Sequence, residues 1–207
     1  MKVQLRVWGG SVVVAPISEP ASRRRGMVNV VQYFIGIAPP KADRDRIRDF
    51  RGRWRSARHV LTEPHITVKA QGGLSEDLGW VKAVRRVCRT WHSFDVEIRG
   101  PHMFGATVVY LSVKSPALPV LHEQILACVP PPADTMQQYF EGEWYVPHLI
   151  LGQSSWGMTD AELQAMYREA DTLSFRGPFT ATGLQIFRGL TPGRYEPYIQ
   201  IPFGYSD

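Results

Sequence analysis

Glu63-Pro64-His65-Ile66-Thr67-Val68 (EPHITV) recurs in altered form as Val146-Pro147-His148-Leu149-Ile150-Leu151 (VPHLIL). Each stretch is a Pro-His pair followed by a short apolar run, which is typical of a β-strand. Proline lacks an N–H and favours extended backbone in the residue before it, so it fixes how each histidine enters its strand. The repetition predicts a molecule with two related halves, each of which contains one histidine strand.

The two strands also predict a shared surface. Side chains alternate between the two faces of a strand, so residues two apart share a face. We expect the apolar residues after each histidine to alternate into the core. The other side chains are then expected to face a groove between the two halves: His65, Thr67 and Lys69 from the first strand, and His148 and Ile150 from the second.

The rest of the chain indicates the fold class. From residue 28, strand and helix patterns follow in the order β-α-β-α-β-β and then α-β-α-β-β, with predicted final strands at 179–190 and 194–203. Apolar residues three and four apart predict amphipathic helices, one of them over 41–57 with its arginines in solvent and another opening at 75–77. We therefore predict an α+β fold that is bilobal and duplicated, with two antiparallel sheets facing a central groove and helices outside.

Composition restricts the class of protein. The apolar share of 44% is ordinary for a globular domain, and the absence of a long apolar run predicts no membrane-spanning helix. The net charge of +5 comes mostly from arginine. Arginine suits bidentate contact with phosphate, although an excess of this size is equally typical of a solvated surface. Cys88 and Cys128 lack the spacing of a metal or redox motif and are expected to be reduced, buried thiols.

The N-terminal segment differs from the remainder. Residues 1–26 contain one acidic residue and end in three consecutive arginines, and they fit a secretory signal poorly. We expect this segment to be an arm, either disordered or the product of an upstream start codon. Residues 27–207 are expected to form a single bilobal domain, with a cytoplasmic location and a monomeric state favoured.

The histidine strands predict acid–base chemistry. Histidine titrates near neutrality, so one imidazole can act as a base while another acts as a protonated acid. The hydroxyl of Thr67 could donate a hydrogen bond to a charged oxygen, which favours a phosphodiester substrate. No carboxylate or cysteine cluster accompanies the pair, so no metal is predicted. A lone histidine on a strand is usually structural. His59, His92, His102 and His122 have no matched setting and are interpreted as surface or structural residues.

At these residues the sequence resembles the two-histidine (2H) phosphoesterases, which include RNA 2′,3′-cyclic phosphodiesterases, also called 2′-5′ RNA ligases. That family has two His-x-[Thr/Ser]-x (HxTx) motifs, one in each lobe. The resemblance covers about residues 28–204; PHITV matches fully, and PHLIL departs at Ile150. It implies that His65 and His148 are reciprocal acid and base, that Thr67 holds the phosphate through a hydrogen bond, and that no metal or other cofactor is needed.

The resemblance also implies further substrate contacts. Arg194 and Tyr195 resemble a closing Arg-Tyr stretch that could contact phosphate. Phe104 stands where the family often has an aromatic residue that stacks on a base, and its equal alternative is a plain hairpin cap. Lys69, on the predicted face of His65, could supply positive charge; its alternative is an exposed lysine at a strand end. The implied partner is an RNA end or nucleotide carrying a cyclic phosphate.

Ile150 keeps a second function open. A hydroxyl at that position would stabilise the transition state, and the loss of one such donor typically costs about a hundredfold or more in rate. The chain is therefore predicted to be a cyclic phosphodiesterase, with reversible 2′-5′ RNA ligation as a related activity. The alternative is a catalytically weakened protein of the same fold that binds RNA ends or nucleotides. Action on a phosphodiester other than RNA remains a third possibility.

Overall fold

The computed structural model describes residues 31–191 and 194–204, so the predicted arm of residues 1–26 lies outside the described residues. The described chain contains eight strands and four α-helices, joined by loops with short 3₁₀ turns. In chain order they are β1 (Tyr33–Ile37), α1 (Lys41–Gly52), β2 (Ile66–Lys69), α2 (Val81–Arg89), β3 (Phe94–Phe104), β4 (Val108–Lys114), α3 (Ala117–Cys128), β5 (His148–Gln153), α4 (Asp160–Ala170), β6 (Phe179–Ala181), β7 (Gly183–Thr191) and β8 (Arg194–Pro202).

The strands form two antiparallel four-stranded sheets, with strand orders β2-β1-β7-β8 and β5-β4-β3-β6. The predicted α+β fold with two antiparallel sheets is confirmed. The histidine strands β2 and β5 are each an edge strand, and these two edges contact each other. The topology therefore brings the two Pro-His stretches together at the junction of the sheets.

The predicted strand over 179–190 is in fact two strands separated by Thr182. Before this residue, β6 pairs with β3 in one sheet; after it, β7 pairs with β1 in the other. A single residue thus carries the chain from one sheet to the other. The hairpin β7–β8 completes the sheet that begins with β1 and β2, so each sheet combines strands from both halves of the sequence.

Two helices cross between the halves in the same way. Helix α1 follows β1 in the chain and contacts β5, whereas α3 precedes β5 and contacts β2. The residues that alternate with the histidines, Ile66 and Val68 in β2 and Leu149 and Leu151 in β5, are completely buried. The predicted apolar alternation is therefore confirmed. Burying each such side chain contributes about 1.5–3 kcal/mol, which fixes the register of both edge strands.

Helix α2 begins later than its sequence signals suggest. The predicted start at 75–77 is a turn, in which Leu78 has a φ of 58° and the Asp77 carboxylate accepts a hydrogen bond from the Gly79 N–H at 2.9 Å. A left-handed residue interrupts helical backbone, so the helix begins at Val81. Helix α4 begins with a capping box formed by Thr159 and Glu162. No helix of the described residues is long and apolar enough to cross a membrane.

Candidate active site

His65 immediately precedes β2, and His148 is the first residue of β5. Both side chains are partly exposed. Burial lowers the pKa of His65 to about 4, with smaller contributions from the positive charges of Arg51 and His148. Burial also lowers the pKa of His148. His148 is therefore close enough to influence the ionisation of His65, in keeping with the contact between their strands.

The two imidazoles are anchored identically. His65 Nδ1 lies 2.7 Å from the Glu63 carbonyl oxygen, and His148 Nδ1 lies 2.6 Å from the Val146 carbonyl oxygen. Because a carbonyl only accepts hydrogen bonds, Nδ1 carries the hydrogen in both rings. Each bond spans two residues across the intervening proline. This local geometry, which the Pro-His pattern builds twice, leaves Nε2 as the nitrogen that can exchange a proton in each ring.

Thr67 lies two residues after His65 and is half-buried. Its hydroxyl makes no hydrogen bond within the described part of the chain, whereas its carbonyl oxygen accepts one from the Tyr145 hydroxyl at 2.9 Å. The hydroxyl is thus unengaged while the backbone that carries it is held in place. The role of the Thr67 hydroxyl as a hydrogen-bond donor to phosphate stays a prediction.

Ile150 occupies the corresponding position on β5, and its backbone is held by a buried cation. The Arg51 guanidinium donates to the carbonyl oxygen of Ile150 and, at 3.4 Å, to that of Thr62. Arg51 is 5% exposed, and burial lowers its pKa to about 10. The expectation that the α1 arginines lie in solvent is wrong for this residue. Its side chain crosses between the lobes and brings positive charge close to His65.

Lys69 is buried rather than exposed at the predicted groove. Its ammonium donates to the Glu141 carboxylate at 2.7 Å and to the carbonyl oxygens of Gly72 and Ala70 at 2.5 and 3.1 Å. These contacts use all three ammonium donors. The β1–β2 register shifts between Ile35 and Gly36, which breaks the simple alternation on which the prediction depended. The structure thus places Lys69 in an internal ion pair.

Phe104, at the end of β3, lies beside His148. The centroids of the two rings are 5.1 Å apart, and the ring planes are nearly perpendicular. The ring of Tyr110 stacks on Phe104 with a centroid distance of 4.1 Å. Phe140 extends the stack at 5.6 Å. The structure therefore places Phe104 next to a candidate catalytic residue, and its contact with a substrate base stays a prediction.

Tyr195 is one ring removed from His65. Phe34 lies between them, with centroid distances of 4.4 Å to His65 and 4.9 Å to Tyr195. The Tyr195 hydroxyl is engaged, since it donates to the Gln32 side chain at 2.9 Å and accepts from Gln71 at 3.2 Å. Arg194 is exposed at the start of β8. The structure thus associates Tyr195 with the wall behind His65, and the phosphate contacts of Arg194 and Tyr195 stay predictions.

The β2 side is organised by His122, which the sequence predicts to be surface or structural, and by Tyr145, which the sequence did not single out. His122, on α3, is 1% exposed; its Nδ1 donates to the Val68 carbonyl oxygen at 2.7 Å and its Nε2 accepts from the Gly142 N–H at 2.8 Å. Its ring stacks on that of Tyr145 at 3.9 Å. His122 is therefore a structural histidine. No local pattern indicates which strand it binds, because its partner is 54 residues away.

Metal ligation finds no support at this site. Among residues 31–191 and 194–204, no group of three or more His, Cys, Asp or Glu side chains could hold a metal ion. The site does contain two imidazoles whose Nε2 atoms make no hydrogen bond among the described residues, the unengaged Thr67 hydroxyl and a nearby buried guanidinium. These groups suit proton transfer around an anion.

Known proteins relate to this chain as follows. The family model described as the 2′-5′ RNA ligase superfamily matches residues 39–190. TT0787 of Thermus thermophilus has a similar structure, with a TM-score of 0.55 and 16% identity over 84% of this chain and 100% of its own. The structure of E. coli LigT complexed with 3′-AMP has a TM-score of 0.54 and 15% sequence identity, covering 84% of this chain and 99% of LigT. The structure of E. coli LigT complexed with NADP+ has a TM-score of 0.53 and 14% identity, covering 85% of this chain and 99% of LigT. No curated protein sequence matches the chain. At these identities the structural likeness shows the fold alone.

Proposed function

Because the chain belongs to the 2′-5′ RNA ligase superfamily, a family of 2H phosphoesterases, we propose that it is a metal-independent phosphoesterase that hydrolyses the 2′,3′-cyclic phosphate of an RNA end or nucleotide. His65 and His148 are the acid–base pair, and Thr67 donates a hydrogen bond to the phosphate. The observation that carries this proposal is the identical anchoring of the two imidazoles at the meeting of β2 and β5.

The reaction balances with these two residues alone. The neutral imidazole that acts as base takes a proton from water at Nε2, and the water oxygen forms a bond to phosphorus. The bond between phosphorus and one ribose oxygen breaks. That oxygen receives the proton that the second imidazole carries at Nε2. The product is a phosphomonoester, and proton exchange with solvent restores both rings.

The electrostatics favour one assignment of the two roles. The positive charge of Arg51 opposes protonation of His65, whereas the pKa of His148 is set by burial against its hydrogen bond to Val146. His65 is accordingly the base and His148 the acid. Since burial lowers both pKa values, an anionic phosphate must raise that of His148 for it to carry a proton. Substrate binding at neutral pH is therefore expected to take up a proton.

A nucleotide substrate fits the surroundings. Phe104 belongs to an aromatic cluster beside His148, which offers apolar surface for contact with a base. E. coli LigT has been solved with 3′-AMP, a phosphomonoester of the kind that cyclic phosphate hydrolysis yields. This likeness motivates 2′,3′-cyclic mononucleotides as the first substrates to test.

A second candidate function is favoured by Ile150 alone. With no hydroxyl at this position, the chain would bind an RNA end or nucleotide with little turnover. It would still need the same fold and the same two imidazoles, so the alternatives differ in rate and not in ligand.

Hydrolysis of 2′,3′-cyclic mononucleotides, and of a short RNA with a cyclic phosphate end, tests the proposal in the presence of a chelator. We expect turnover that survives chelation and falls by about 10²–10⁴-fold in His65→Ala and His148→Ala, the usual contribution of a general acid or base. His92→Ala, which changes an exposed histidine, is the matched control and should retain full activity. A metal requirement would contradict the mechanism. Tight binding of 3′-AMP without turnover would favour the alternative.

A further inference from the structure

Tyr110 lies directly opposite Ile150 in the β4–β5 ladder. Residues directly opposite each other in an antiparallel pair project their side chains to the same face of the sheet. His148 pairs with Ser112 two residues further along β4. Tyr110 therefore shares its face with both His148 and Ile150, although it belongs to the neighbouring strand.

The phenol ring is held on both sides by other rings. Its centroid is 5.5 Å from that of His148, with the two planes at 69°. Phe104 stacks on it at 4.1 Å and His102 at 5.8 Å. This packing, together with a residue exposure of 9%, fixes the ring and thus the direction of its hydroxyl.

The hydroxyl itself is unengaged. It makes no hydrogen bond within the described part of the chain, and its oxygen is not one of the enclosed polar atoms that lack a partner. Burial raises the pKa of Tyr110, so the phenol keeps its hydrogen at neutral pH and can donate it. The ring is therefore largely buried while the hydroxyl stays accessible to a ligand.

We propose that the Tyr110 hydroxyl supplies the hydrogen bond that Ile150 cannot, by donating to a non-bridging phosphate oxygen of the substrate beside His148. This inference rests on the proposed phosphoesterase function and adds a donor from a strand that the sequence motif does not include. Thr67 would then serve one side of the phosphate and Tyr110 the other. The half-buried Ile150 side chain would pack beside the phenol and keep its place on the sheet.

The phenol also predicts a difference in substrate position. A tyrosine hydroxyl stands further from its strand than a threonine hydroxyl, because an aromatic ring separates it from the backbone. The phosphate is therefore expected to bind further from β5 than it would with a threonine at position 150. Restoring threonine should then compensate only when the phenol hydroxyl is absent.

The test compares Tyr110→Phe, Ile150→Thr and the double variant with the unchanged protein, using a 2′,3′-cyclic mononucleotide for turnover and 3′-AMP for binding. Tyr110→Phe should lower kcat by about a hundredfold, the typical loss of one transition-state donor, and weaken 3′-AMP binding. Its thermal unfolding should be unchanged, since the hydroxyl has no protein partner within the described residues. Ile150→Thr should recover much of the lost rate in the Tyr110→Phe protein and add little by itself.

Tyr167→Phe removes a hydroxyl from the exposed surface of α4 and is the matched control, with no expected effect on turnover. Unchanged kcat and 3′-AMP affinity in Tyr110→Phe would overturn the inference while leaving the phosphoesterase proposal intact. Absence of turnover in the protein without substitutions would contradict the phosphoesterase proposal instead. The comparison of 3′-AMP affinities would still decide whether Tyr110 contacts phosphate.

Discussion

The β2 half of the site and the β5 half are held in place by different chemistry. On β2, the carbonyl oxygens of Thr67 and Val68 accept hydrogen bonds from Tyr145 and His122, both neutral donors. On β5, the carbonyl oxygen of Ile150 accepts from the guanidinium of Arg51. In both halves the donor comes from the other half of the sequence. The positive charge near the imidazoles is therefore part of the support of β5.

The two halves also differ in the cation that could attract a phosphate, which is Lys69 on β2 and Arg51 behind β5. Lys69, on the strand with the complete motif, is neutralised by Glu141. Arg51 is buried without a carboxylate hydrogen bond among the described residues, and its charge acts on His65. The Glu63 carboxylate acts on Arg51 at a distance, but Arg51 makes no direct ion pair among the described residues. An anionic substrate thus meets positive charge from Arg51, behind the strand that lacks the motif hydroxyl.

The largest expected effect tests the unequal roles of the histidines. Bis(4-nitrophenyl) phosphate has a leaving group that departs without protonation, so the acid becomes dispensable and the base does not. His65→Ala should therefore remain reduced by about 10²–10⁴-fold, whereas His148→Ala should regain most of the rate on this substrate. Selective recovery of His65→Ala would reverse the assignment. The measurement is the rate of 4-nitrophenolate release for both variants.

The next effect concerns Lys69 and Glu141. Lys69→Met leaves a carboxylate that is 1% exposed without its counterion, and breaking such a pair costs about 3–5 kcal/mol in the free energy of unfolding. Lys69→Met with Glu141→Leu should recover much of that loss. Turnover per folded molecule should change little in the double variant. A stable Lys69→Met protein that has lost 3′-AMP binding would instead make Lys69 a phosphate ligand.

Arg51→Gln removes the charge while keeping a hydrogen-bond donor. Because the Arg51 charge lowers the pKa of His65, that pKa should rise in the variant, as measured by NMR titration. The sign extends to stability. The unfolded chain protonates a histidine near pH 6.5, about its ordinary pKa, and the folded chain protonates His65 only near 4. Stability therefore declines as pH falls through this window.

In Arg51→Gln the gap between the unfolded and folded pKa values of His65 should narrow. The loss of stability between neutral and acidic pH should therefore be smaller than in the unmutated protein. Urea unfolding at several pH values measures it. Lys41→Gln is the matched control, because Lys41 is exposed on the same helix and pairs with Asp45 rather than with Glu63. An unchanged or lower pKa of His65 in Arg51→Gln would show that the guanidinium does not set the ionisation of this site.

The smallest effect concerns the neutral support of β2. Tyr145→Phe removes the hydrogen bond to the Thr67 carbonyl oxygen and should lower the free energy of unfolding by about 1 kcal/mol. If that bond positions the Thr67 hydroxyl, kcat should fall while KM changes little. Tyr167→Phe again serves as the control. An equal change of kcat in Tyr145→Phe and Tyr167→Phe would show that Tyr145 does not position the Thr67 hydroxyl.

The sequence predicted the fold class and the meeting of the two histidine strands because both follow from local patterns. Alternation placed Ile66, Val68, Leu149 and Leu151 in the core, and the resemblance to 2H phosphoesterases is confirmed by the family match. The catalytic roles stay predictions.

Other features depend on distant pairings and could not be predicted locally. The register shift in β1–β2 decides where Lys69 lies, and the break at Thr182 decides which sheet receives β7. Arg51 looked like a solvated arginine because its partner is 99 residues away. Tyr110 carried no signal at all until its pairing with Ile150 was known. Motif spacing identified the histidines, but the residues that support them come from strand pairing and helix packing.

The central claim is that His65 and His148 flank one phosphate through their Nε2 atoms. Long-range ¹H–¹⁵N NMR correlations of the histidine rings, recorded at neutral pH with and without 3′-AMP, test it most directly. The account predicts that both Nδ1 atoms stay protonated, that both Nε2 signals shift on binding, and that the Nε2 of His148 gains a proton. A ligand that shifts only one of the two rings, or neither, would contradict it.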